Sequence, residues 1–234
     1  MSVMKNVLEG HEQAGRVFTG MTFQPGLPPL IDPLRFIGWR EVGDAWEIIT
    51  TGLSEFGGKE TSDPSRSGFG IEFVLRIGRR ADETEPPEAW TLPLFQSLGR
   101  IVFWSSQVPA EGSVVSFAPT MELHGTTYRF FDESQGFGTE ARPLDFTHRD
   151  GPLARIHDGL RRARHEGDTP PTAGRRFWNT PVADAFSGLG FVSDPTFGVM
   201  ETETGPVRWV RCLALREGET VQGFAADGVV QRPG

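Results

Sequence analysis

Between Phe69 and Ile77 every second residue is apolar. Phe69, Ile71, Phe73, Leu75 and Ile77 fall on one side, and Gly70, Glu72, Val74 and Arg76 fall on the other. Side chains alternate across an extended backbone, so this period of two predicts a strand with an apolar face to bury. One strand cannot bury that face alone. It needs neighbours in a sheet and a layer packed over the sheet. Trp46–Thr51 is aromatic and β-branched, and Ser113–Phe117, Phe186–Val192 and Val207–Leu215 carry further strand signals. Leu34–Arg40 fits a short helix or a strand equally well. The covering layer is announced by a change of period. Leu94, Phe95, Leu98, Ile101 and Val102 form one helical stripe, with Pro93 in the first turn and Pro86 and Pro87 before it. A helix between strands predicts an α/β (α+β) protein, a mixed β-sheet flanked by helices.

Residues 1–30 end in Pro25-Gly26-Leu27-Pro28-Pro29 and read as a loosely held N-terminal arm. Residues 31–234 read as a single domain, interrupted by an insertion of about 60 residues at about 119–182. Patterning weakens there, nine Arg stand against nine Asp and Glu, and four of the five histidines fall within it. Its one clear helix is Leu153–His165, with Leu153, Ile156 and Leu160 on one face. Surface segments tolerate change while a sheet holds shape, so deleting Pro119–Val182 is expected to remove partner binding and leave a folded core. Gly218–Gly234 is expected to hold at most a short helix and a tail.

Several function classes lose support. The 18 Phe and 6 Trp supply packing that disordered chains lack. A net charge of −8 opposes general nucleic-acid binding and suits a basic partner. The single cysteine, Cys212, excludes a disulfide within the chain and reads as a buried strand residue. Met1–Gly20 carries no apolar core of signal-peptide length. No stretch approaches the roughly 18 apolar residues of a membrane span. A cytoplasmic protein without membrane or nucleic-acid partners is expected. No Gly-x-Ser-x-Gly is present. Gly68-Phe69-Gly70 lacks the third glycine of a phosphate loop and leads into a strand rather than a helix. His124, His148, His157 and His165 lie among Asp132, Asp145, Asp150 and Asp158. The closest pair, His157 and His165, is about 12 Å apart along a helix, too far to share one ion. The expectation is therefore no metal, no cofactor and no catalytic residue. Acidic residues are plentiful, so a glycosidase pair is not excluded, though nothing marks one.

Two features remain as candidate partner-binding elements. Arg155, Arg161, Arg162 and Arg164 make the 153–165 helix basic, either as a solvated face or as a contact to an acidic partner. The pairs Phe130-Phe131 and Phe177-Trp178 read as satellite core beneath the insertion; exposed, they would be interface anchors, because aromatics and Arg dominate binding hot spots.

Ordered blocks of the chain resemble the Suppressor of fused family. Asp44-Ala45-Trp46-Glu47-Ile48-Ile49-Thr50-Thr51-Gly52-Leu53-Ser54-Glu55 is similar to its Trp-containing strand and Gly-Leu-Ser turn. Ser67-Gly68-Phe69-Gly70-Ile71-Glu72-Phe73 resembles its most typical motif. Leu98–Phe103, Gly112–Ser116, Ser193-Asp194-Pro195, Gly205–Val210 and Arg216-Glu217 continue the likeness in order, over about 140 of the 234 residues. The resemblance implies a mixed sheet flanked by helices and protein binding without chemistry. Trp46, Gly52, Gly68, Phe69, Gly70 and Glu72 become structural residues of the family motif. Gly68 and Gly70 let a strand start under tight backbone packing. Glu72 is expected to be hydrogen-bonded on a half-exposed face.

The animal family member is a cytoplasmic binder of transcription factors, whereas bacterial relatives are thought to be immunity proteins that neutralise toxins. High Arg, Ala, Gly and Pro usage fits the bacterial context. The likeness covers one domain, so the animal protein's second, C-terminal domain is expected to be absent. Ile101 and Ser113 stand where that protein uses a tyrosine and an aspartate beside its peptide ligand, so binding of transcription-factor peptides does not carry over. The family's last helix and strand are likewise expected to be absent, which leaves a homodimer open, with a second copy completing the sheet edge. The resulting expectation is a non-enzymatic, immunity-type protein that binds a cognate toxin. The alternative is a small-molecule- or metal-binding protein, or a hydrolase, with a pocket between the sheet and the insertion.

Overall fold

The computed structural model describes residues 11–12, 15–22, 33–55, 58–79, 90–117, 121–123, 126–131, 139–165, 176–178 and 186–223. The elements of its main sheet are β1 (Thr19–Thr22), β2 (Phe36–Val42), β3 (Ala45–Thr51), β4 (Ile71–Gly78), β6 (Val114–Ser116), β11 (Gly188–Ser193), β12 (Val199–Met200) and β13 (Val207–Leu215). The order is β1-β2-β3-β4-β13-β11-β6, with β12 pairing the start of β13. The alternating segment, β4, lies in the middle. It pairs antiparallel with β3, where Leu75 faces Ile48, and parallel with β13, where Phe73 faces Val210. Parallel neighbours need a long crossover, and the chain between them carries the helices Thr91–Ser105 and Pro152–His165.

Helix α1 (Thr91–Ser105) covers one face of this sheet. Its stripe of Leu94, Phe95, Leu98 and Val102 packs in one cluster with Ile71, Phe73, Leu75 and Ile77, and all eight are fully buried. Pro93 sits in the first turn, where a missing amide proton costs nothing. Of Leu34–Arg40, the residues from Phe36 onward are strand, and β2 pairs with β3 through its whole length.

The opposite face is buried too, which overturns the expectation of a half-exposed Glu72; Glu72 and Val74 are both 0 % exposed. Ile49, Val74, Phe197 and Trp209 form a second cluster there, with Phe18 and Met200 packed on it. The arm is thus not loose where it is described. Residues 19–22 add an edge strand to β2, and His11 is wholly buried against the rings of Phe18, Phe197 and Trp209 at 5.4, 4.8 and 4.9 Å. Burial, then the charges of Arg16 and Arg40, lower its pKa to about 4. A histidine held below its unfolded value contributes stability above pH 6.5 that is lost as pH falls towards 4. Between pH 7 and 4 the protein should lose about 3 kcal/mol more than His11→Phe, measured by denaturant unfolding at each pH. Parallel pH profiles for the two proteins would refute the coupling.

The segment from 119 to 182 contains β7 (Met121–Leu123), β8 (Thr126–Phe130), β9 (Thr139–Ala141), helix α2 (Pro152–His165) and β10 (Arg176–Trp178). Strands β10, β8 and β7 form a small sheet, and β9 pairs with β5 (Gln107–Pro109). The segment is woven into the domain. Phe131, Phe146, Leu153, Ala154 and Ile156 join the principal core, and Phe146 bridges to Thr61. Deletion of Pro119–Val182, expected to leave a folded core, would also remove these core side chains. The weak periodicity has a physical cause: each short element supplies only one or a few core residues.

Candidate functional site

The residues of the sequence motif form an internal clamp. Gly68 has φ +56°, and a Cβ there would sit 2.7 Å from the Leu53 carbonyl oxygen. Phe69 donates its amide to that same carbonyl at 2.8 Å and packs edge-on against Phe103. Gly70 accepts at its carbonyl from the Arg208 amide, where β13 begins. Glu72 then reaches back to the turn after β3. Its Oε1 accepts from the amides of Gly52 (2.7 Å), Leu53 (3.0 Å) and Ser54 (2.9 Å) and from Ser54 Oγ (2.7 Å). Its Oε2 accepts from Thr50 Oγ1 at 2.9 Å. Burial pushes the Glu72 pKa up, against the pull of these donors. Trp46, also buried, anchors the start of β3. These residues pack and hydrogen-bond within the fold.

Other buried charges escaped the pattern reading. Glu47 is fully buried between Arg40 (2.6 Å) and Arg76 (2.5 Å). Asp194 accepts from the amides of Thr196 and Phe197 and pairs with Arg211 at 2.7 Å. Glu60 accepts from the Leu153 amide at 3.0 Å, which seats a carboxylate on the N-terminus of α2 and anchors that helix. The available signal was a charged residue inside an apolar strand, as with Glu47 in Trp46–Thr51 and Arg211 in Val207–Leu215.

The candidate partner-binding residues divide. On helix α2, Leu153, Ala154 and Ile156 are buried and Arg155, Arg161 and Arg162 are exposed, while the Leu160 side chain expected on the apolar face lies outside the described residues. The Arg164 side chain lies outside the described residues. Phe131 is 4 % exposed and packs on Phe117 at 5.5 Å, so it belongs to the core and is no interface anchor. Phe130, Phe177 and Trp178 are placed by backbone only. Strand β10 pairs with β8 so that Arg176 faces Phe130, Phe177 faces Arg129 and Trp178 faces Tyr128. Ile101 is buried in the core, and Ser113 Oγ donates to the Ala110 carbonyl.

Chemistry finds little footing among the described residues. No three His, Cys, Asp or Glu side chains there converge as metal ligands. His157 packs against Phe146 at 5.4 Å, while the side chains of His124 and His165 are not described. Cys212 is fully buried, and burial pushes its thiol far above the reactive range. An open cleft of about 480 Å³ is lined by Gly15, Val17, Thr19, Trp39, Arg40, Glu41 and Trp46. It lies between the arm and β2–β3, not between the sheet and the 119–182 segment. No helix of the described residues is long and apolar enough to cross a membrane.

A family model described as Suppressor of fused protein matches residues 29–145. Among solved structures, the chain is similar to one of the Sufu–Fu complex, with 17 % identity and a TM-score of 0.56 over 93 % of this chain and 77 % of that one. It is also similar to Drosophila Suppressor of Fused, with 16 % identity and a TM-score of 0.54 over 94 % of this chain. It spans 42 % of that Drosophila chain. At such identities the likeness to these structures shows the fold alone. No curated protein sequence matches.

Proposed function

The chain belongs to the Suppressor of fused family, and from that premise we propose that it binds a protein partner without chemistry, as an immunity-type protein holding a cognate toxin domain. The exposed arginine face of α2 carries this reading. On a chain of net charge −8, Arg155 and Arg161-Arg162 gather positive charge on a helix whose other face is buried and whose N-terminus is held by Glu60. A helix fixed in this way has little further backbone entropy to lose on binding, and arginine is enriched in binding hot spots. A related structure contains Sufu assembled with Fu, which supports partner binding as a use of this fold.

The test is capture from the native host followed by identification of the bound protein. One stoichiometric partner with a toxin-like domain is expected. The variant carrying Arg155→Glu, Arg161→Glu and Arg162→Glu should lose at least about tenfold in affinity, because charge reversal at a hot spot costs more than 1.4 kcal/mol. Its melting temperature should change little, since these side chains are exposed. Full retention of binding by this variant would remove α2 from the interface.

A further inference from the structure

Three arginines distant in sequence meet where β4 and β13 begin. Arg66 lies in the loop before β4, Arg142 follows β9, and Arg208 is the second residue of β13. Arg142 donates to the Phe69 carbonyl at 2.8 Å and to Glu140 at 2.6 Å. Arg66 donates to the Pro143 carbonyl at 3.0 Å and lies 3.1 Å from Asp63. Arg208 donates to the Pro109 carbonyl at 3.2 Å. Arg142 Nε and Arg208 Nε are buried without a hydrogen-bond partner, whereas Arg66 Nε faces Asp63 Oδ2 at 3.1 Å. Burial and the charge of Arg142 lower the pKa of both Arg66 and Arg208, as expected of like charges crowded together.

Crowded guanidinium groups need opposing acids. Glu140 pairs with Arg142 and Asp63 with Arg66, but Arg208 makes no ion pair among the described residues. Glu111, the other acid acting on Arg208, has its carboxylate on the amide and hydroxyl of Ser193. One half-buried guanidinium is left without a paired acid among the described residues, beside an orphaned N–H on Arg142.

We propose that the Arg66–Arg142–Arg208 corner is a receptor for a single carboxylate, the Asp or Glu side chain of a protein partner, centred on Arg208. Guanidinium donors match a carboxylate in geometry. The nearby Asp63 and Glu140 favour a monoanion and repel a dianionic phosphate. The proposal rests on the protein-binding reading only for what carries the carboxylate. The corner belongs to the sheet end and includes no residue of α2.

The full chain is titrated with acetylated, amidated tetraglutamate, with the tetraglutamine analogue, and with inorganic phosphate. The arginine Nε–Hε resonances are followed by NMR. Tetraglutamate should shift the signals of Arg66, Arg142 and Arg208, tetraglutamine should not, and phosphate should bind more weakly. Arg208→Gln should weaken tetraglutamate binding about tenfold, whereas exposed Arg149→Gln changes it less than about twofold. If Arg208→Gln fails to fold, the wild-type resonances decide. Unmoved signals at millimolar tetraglutamate, unchanged binding by folded Arg208→Gln, or tighter binding of phosphate would each overturn the assignment. No partner enters this experiment, so its failure leaves the protein-binding reading standing. Conversely, failure to capture a partner leaves the titration result intact.

Discussion

Glu72→Ala should lower the unfolding free energy by about 4 kcal/mol, because it leaves three buried amides and two hydroxyls without their acceptor. Water has no route to the site, since Glu72 and its neighbours Thr50, Leu53 and Ser54 are at most 2 % exposed. The conservative variant separates charge from shape. Glu72→Gln keeps one oxygen for the Gly52–Ser54 donors, while Thr50 Oγ1 rotates to accept from the new amide. Its cost should be nearer 1–2 kcal/mol, the difference between a charge-assisted and a neutral acceptor. Chemical denaturation of the three proteins gives both numbers. An alanine variant within 1 kcal/mol of the parent would show that the turn is held by something other than this carboxylate.

Asp194→Ala should cost about 3–5 kcal/mol, the typical penalty for breaking a buried ion pair from one side. Arg211 is 2 % exposed and loses the acid 2.7 Å away, and the amides of Thr196 and Phe197 lose their acceptor. The damage should spread locally. Phe197 packs on Trp209 and His11, so hydrogen exchange should quicken in residues 15–18 and 194–200 before it does in β4. A double variant, Asp194→Ala with Arg211→Met, should recover at least half of the loss, because an apolar residue replaces the stranded charge. A double variant as unstable as the sum of both single losses would mean that the pair is not the source.

The parts legible in the sequence share a property: their signal is local. The alternation of β4 and the stripe of α1 are written into consecutive residues, because a backbone of fixed period turns spacing into a face. The motif around Gly68 and Glu72 could be singled out for the same reason, being short and contiguous. Even there, only half of the meaning was readable. The spacing marked Glu72 as the polar residue opposite an apolar face, yet its acceptor role depends on donors 18 to 22 residues earlier.

What only the tertiary structure decided is where distant segments meet. Period two does not say whether the second face of β4 sees water. That was settled by Phe197 and His11, which arrive from a loop and from the N-terminal arm. Nor does it say that β13 pairs parallel to β4. The arginine corner is the plainest case. Arg66, Arg142 and Arg208 each look like an ordinary solvated cation in sequence, and only the meeting of three strand ends makes them one site. The local elements, and a sheet covered by a helix, follow from consecutive residues, because backbone periodicity is a short-range property. Burial and charge compensation are long-range sums over the folded chain, so the clamp and the corner emerge only once the chain closes on itself.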